Sequence, residues 1–134
     1  MSAIIGEGVS LRGIVDDEYG YTWNLTGAVA AGDVGKAMTQ DTAVANSAKL
    51  TTDGAVVLGA LASYENRVQE GIVVGAIYRK GVFVWEYTGA APALGVGVVG
   101  SATGGKVKAA AGAVVNNIVV EVNVAATTVT VVFD

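Results

Sequence analysis

The sequence predicts an all-β protein, a small barrel or sandwich of short antiparallel strands carried behind an extended N-terminal arm. Three observations lead there. β-Branched and aromatic runs of strand length recur along the chain, and turn signals built on glycine, asparagine or Asp-Gly separate them at intervals of about 8–12 residues. Val, Ala and Gly make up about half of the 134 residues, a mixture that favours pleated, closely packed backbone. Only 15% of residues are charged and mean hydropathy is +0.53, the opposite of a disordered chain. The length suits a single domain with a real core.

Residues 1–31 read as the arm and 32–134 as the barrel body. Within the arm, Val9-Ser10-Leu11-Arg12-Gly13-Ile14-Val15 suits a short strand and Asp16-Asp17-Glu18 a solvated acidic turn. Tyr19, Tyr21 and Trp23 then alternate, which puts three rings on one face of a strand. That face is either the inner side of a core-facing edge strand or an aromatic patch offered to a partner or a sugar.

The body opens with a turn and a short apolar run, Gly32 to Thr39, followed by a polar loop from Asp41 to Ala48. Lys49-Leu50-Thr51 leads to a turn at Asp53-Gly54. Ala55 to Ala62 is a buried strand or a short helix, and the flanking turn signals favour the strand. Ser63 to Gly71 is charged and reads as a solvated connection. Ile72 to Tyr87 is the expected centre of the core, a hairpin turning at Lys80-Gly81. In that register Tyr78 faces Phe83, Ala76 faces Trp85 and Val74 faces Tyr87, while Ile77 with Val84 and Gly75 with Glu86 take the other side. After a loop closed by Pro92, Val96–Val99 and Lys106–Ala110 form a hairpin across Ser101 to Gly105. Ile118–Val124 pairs with Thr128–Phe133 around Ala125-Ala126-Thr127. A helix at Ala109–Val115 is the alternative to strand there, which Gly112 weakens by about 1 kcal/mol.

Catalytic chemistry finds little support. The chain has no histidine and no cysteine, which removes the commonest general base, the Ser-His-Asp triad, thiolate chemistry and most soft-metal sites. No D-x-D-x-D-G spacing suggests a calcium loop, and no cofactor is expected. Glu86, between Trp85 and Tyr87, is a carboxylate whose pKa partial burial would raise, but a lone carboxylate with no identified partner is more often a salt-bridged or outward-facing strand residue. Gly100 to Lys106 satisfies G-x-x-x-x-G-K, yet Val107 replaces the Ser or Thr that meets magnesium, and no helix follows. It reads as a hairpin turn. The expectation is a protein that is not an enzyme.

Partners are bounded by charge. A net charge of −4 with eight scattered basic residues argues against nucleic acid, whose phosphates need clustered Lys and Arg. The longest uncharged stretch, Tyr87 to Gly105, holds Pro92 and six glycines, poor material for a membrane-spanning helix. The first residues lack the basic start and apolar run of a signal peptide.

Gly32-Asp33-Val34-Gly35-Lys36-Ala37, Ala48-Lys49-Leu50-Thr51-Thr52-Asp53-Gly54 and Val57-Leu58-Gly59-Ala60-Leu61 form an ordered series of short segments and glycine turns. Val68-Gln69-Glu70-Gly71, Val74-Gly75-Ala76, Gly81-Val82-Phe83 and Ala93-Leu94-Gly95 continue it, ahead of Val98 and Lys106-Val107. Over roughly residues 30–110 this order resembles the tailed-phage capsid decoration, or cement, proteins. The resemblance implies a small β-barrel or β-tulip on the outside of a viral capsid, clustered as a homotrimer at local threefold positions. There it would hold major capsid protein subunits together, part of the virion after synthesis in the host cytoplasm. It also implies that the arm grips the shell by strand addition, which makes Ile4, Ile5, Val9, Leu11, Tyr19, Tyr21 and Trp23 the candidate capsid or subunit interface. The competing expectation is a sugar-binding or adhesive β-domain using the Tyr19/Tyr21/Trp23 or the Phe83/Trp85/Tyr87 rings.

Overall fold

The computed structural model describes residues 22–133. They build a closed five-stranded barrel with a second, three-stranded sheet packed on its wall. The barrel strands are β1 (Thr22–Leu25), β2 (Ala37–Gln40), β3 (Ser47–Leu50), β4 (Val57–Leu61) and β6 (Ile72–Tyr78). Their order is β1-β3-β2-β4-β6, and β6 returns to β1 to close the ring. All neighbours are antiparallel except β1 and β3, which run parallel with Asn24 opposite Ser47. Closure leaves no open edge around the ring.

Each barrel strand contributes to the interior. Trp23, Leu25, Met38, Ala48, Leu58, Leu61 and Ile77 form one buried cluster. On β2 and β4 the residues between these, Ala37, Val57 and Ala60, face out of the barrel into a second cluster. That wall is therefore apolar on both faces, which is why β4 is buried along its whole length. The register slips between Met38 and Thr39 of β2, a bulge of the kind that lets a short barrel curl. At the bulge Gly59 passes so close to Tyr78 that a Cβ would collide with its carbonyl oxygen. Only glycine fits there.

The second sheet has the order β10-β11-β7, formed by β10 (Asn117–Asn123), β11 (Thr128–Phe133) and β7 (Gly81–Glu86). Alternation along each strand sends Phe83, Trp85, Val119, Val129, Val131 and Phe133 towards the barrel wall. Phe83 stacks on Trp85 at 5.2 Å between ring centres, and Phe133 meets both rings edge-on. Each such contact stabilises by roughly 0.5–1.5 kcal/mol beyond the area it buries. A two-stranded ribbon, β8 (Val98–Gly100) with β9 (Val107–Ala109), closes the side of this core.

The expected β10–β11 and β8–β9 hairpins are present. The expected central hairpin is not. β6 belongs to the barrel and β7 to the second sheet, so Tyr78 pairs with Ala60 and Phe83 with Val131. Lys80-Gly81 carries the chain from one sheet to the other. The true hairpin partner of β6 is β4 continued by β5 (Glu65–Arg67), with Arg67 opposite Ile72 and the turn closed at Gly71, φ +80°. The supposed solvated connection thus contains an exposed strand. The arm boundary also moves, because Thr22–Leu25 is a barrel strand and the body begins no later than Thr22. Residues 110–116 form no helix.

Candidate interaction surface

Of the candidate interface residues, Ile4, Ile5, Val9, Leu11, Tyr19 and Tyr21 lie outside the described residues. Trp23 is buried in the barrel at 9% exposure, opposite Gly75 of β6. It is a core side chain, as the edge-strand reading of the alternation has it, and offers no docking face. The rings of the other platform are also in the core: Trp85 and Tyr87 are buried and Phe83 is half-buried.

Glu86 faces outward on β7. Its carboxylate accepts from the Lys106 ammonium at 2.9 Å, and both groups are open to solvent. The hydrogen bond and charge of Lys106, with a smaller pull from Lys36, hold the Glu86 pKa below its ordinary value, not above it. This is a surface ion pair. Lys36 is itself held by Asp33 at 2.9 Å, and that carboxylate also accepts from the Ala30 amide, capping the 3-10 turn Ala31–Asp33. The Gly100–Lys106 stretch is the β8–β9 turn. Buried Thr51 pins it by accepting from the Gly105 amide at 2.9 Å and donating to the Lys106 carbonyl at 2.8 Å. Among the described residues no group of three or more acidic side chains is placed to hold a metal ion.

What the described residues do present is the outer face of the second sheet. The register sets Val82 beside Val132 and Val132 beside Ile118, with Val84 beside Thr130 in the next row. Val82 and Val84 are each 63% exposed, and Ile118 and Val120 are also open. β-Branched residues suit both faces of a strand, so β7, β10 and β11 have inner faces that fold the sheet and outer faces left apolar. The charges at this face, Glu86 and Glu121, stand towards the Thr128 end. Contiguous apolar surface of this kind commonly marks a contact site. Periodicity made both faces visible as apolar, but the order of strands, and so the row itself, was not readable before the pairing was known.

Beside this face runs a groove of about 290 Å³ lined by Gly35, Lys36, Val84, Trp85, Glu86 and Gly104–Lys106. Trp85 forms its base and donates its indole N–H to the Gly35 carbonyl at 2.8 Å. No family model, curated protein or solved structure matches the chain.

Proposed function

We propose that the chain is a non-enzymatic structural protein that binds the outer surface of a tailed-phage capsid and stabilises the shell as a homotrimer at local threefold positions. The observation that carries this reading is the outer face of the second sheet, a low-charge row of Val82, Val132 and Ile118 on a closed barrel. A face of that kind suits broad contact with other subunits better than capture of a small molecule. The ordered β-segments and glycine turns that resemble capsid decoration proteins support the same assignment.

In this reading the major capsid protein is the partner, and the apolar segment ahead of Thr22 supplies a second grip by strand addition. The first test is mass spectrometry of gradient-purified virus particles. A near-equimolar ratio of this 13.4 kDa chain to the major shell subunit is expected, and its absence from intact particles would reject the assignment. The second grip is tested by deleting residues 1–21, which is expected to leave a folded body that binds particles weakly. Full-strength binding by that truncation would remove the segment from the contact.

A further inference from the structure

The outer face of the second sheet is wider than its three strands. The Gly95 amide donates to the Val119 carbonyl and the Val119 amide to the Val96 carbonyl, so residues 93–96 lie along the side of β10 away from β11. They bring Leu94, 67% exposed, and Val96, 41% exposed, beside Ile118 and Val120. With Val82 and Val84 these side chains leave roughly 500 Å² of apolar surface in water. That is near the upper end of the largest patch, about 300–600 Å², that a monomer ordinarily exposes.

The placement of charge decides what can cover this face. Two outward rows run across the strands, Ile118–Val132–Val82 and, at the bulge, Val120–Thr130–Val84, and none of these six residues is charged. Between them runs the inward row Val119–Val131–Phe83. Glu86, and Glu121 just past the bulge, stand on the Thr128 side of the two rows. Among the described residues the charges at the other end are the exposed basic pair Arg79-Lys80, immediately ahead of Gly81.

A second copy of the same face satisfies this pattern. Two apolar sheets pack face to face about 10 Å apart with their strands nearly aligned. A twofold axis lying across the strands, over the Phe83–Val131–Val119 row, exchanges the two uncharged rows. Val82 of one copy then lies over Val84 of the other, and Ile118 over Val120. The same operation carries the Glu86 end of each copy to the Arg79-Lys80 end of the other, so opposite charges meet at both rims. Stacking with strands in the same direction would gather Glu86 and Glu121 of both copies at one end, where like charges repel. The area covered over both copies, roughly 1,000 Å², is the least that a specific interface requires. Such an interface is reversible.

We propose that the free protein pairs with a second copy through the outer face of β7, β11 and β10, stacked antiparallel about a twofold axis. The same patch serves on both sides, so the contact closes on itself and does not propagate. The pairing stands independently of the capsid reading. Where that reading also holds, the dimer covers the face that meets the shell and must come apart before the shell is bound.

The test is sedimentation equilibrium on the full-length protein alone, without particles. With a dissociation constant on the order of 10–100 µM, as this small area gives, the mass is expected to rise from 13.4 kDa towards twice that value with concentration. Val84→Lys is expected to raise the dissociation constant at least about tenfold with an unchanged circular dichroism spectrum. Val56→Lys, as exposed but just ahead of β4 and off this face, is expected to leave it unchanged. In a mixture of isotope-labelled and unlabelled protein, NOEs between Val82 and Val84 methyls of different copies are expected from the antiparallel stacking. A mass that stays at one chain up to about 1 mM, at least about tenfold above that constant, overturns the proposal. Association that Val84→Lys leaves intact, that converges on three chains, or that lacks those NOEs overturns it as well. Failure here leaves the particle experiment unaffected, and absence from particles leaves the dimer in place.

Discussion

Gly59 sits at the bulge of β4 against β2, where the Tyr78 carbonyl occupies the space a side chain would need. Backbone gives way less easily than a side-chain end, so Gly59→Ala is expected to destabilise the fold by about 2–3 kcal/mol in chemical denaturation. Thr51→Val tests a different cost. It keeps the shape but leaves the Gly105 amide without its partner, while the Lys106 carbonyl keeps the Ser101 amide; a loss of about 1–3 kcal/mol is expected in the same assay. Asp33, Asp41 and Glu86 all have pKa values lowered on folding, each chiefly by a side-chain hydrogen bond, from Lys36, Thr26 and Lys106 respectively. The unfolded chain therefore takes up protons first. Their stabilisation is present above the ordinary carboxylate range and is lost as pH falls below about 4, through the folded-state values. Asp33→Asn should flatten that acid limb in thermal melts recorded between neutral and acid pH. None of these roles could be read from residue type alone, since an aspartate in a turn and a threonine before one are ordinary surface residues until their partners are known.

At the level of elements, what was legible depended on how local the pairing is. The β10–β11 and β8–β9 hairpins close over short turns, and their glycine, asparagine and alanine signals mark the ends correctly. Alternation along β7 also sorted its side chains correctly, with Phe83 and Trp85 inward and Val82, Val84 and Glu86 outward. What alternation does not contain is the identity of the neighbour. Val74, Ala76 and Tyr78 share a side of β6 with the same period as Phe83 and Trp85 on β7, so an adjacent hairpin and two separate sheets satisfy the pattern equally. Buried β11 won β7 because Val129, Val131 and Phe133 fill the space around its rings. The outer row is the place to separate folding from binding. Val84→Lys should shift stability by less than about 0.5 kcal/mol, as exposed positions do, yet weaken particle binding in a co-sedimentation assay. Unchanged sedimentation would remove this face from the contact.

The whole molecule is organised by the wall formed by β2 and β4. Its inward residues, Met38, Leu58 and Leu61, belong to the barrel core, and its outward ones, Ala37, Val57 and Ala60, belong to the core under the second sheet. Sharing a wall ties the two cores together, so intrinsic tryptophan fluorescence should report one cooperative transition although Trp23 and Trp85 sit in different cores. Two separated transitions would contradict that coupling. The body boundary makes a further prediction: removal of residues 1–21 should be tolerated, whereas removal through Leu25 takes out β1 and should prevent folding, as judged by circular dichroism.

The closing strand of the barrel also bears on how quickly the protein assembles itself. β1 comes first among the described strands, yet its partners are β3 and the much later β6, and its contact with β3 is parallel. During synthesis β1 must wait until Tyr78 has emerged before the ring can shut. Pairings this distant along the chain pay loop-closure entropy before any contact rewards it. Refolding should therefore be slow for a chain of this size, with the Trp23 environment among the last to become native, and until then the strands that later hide in the barrel remain open to the wrong neighbours.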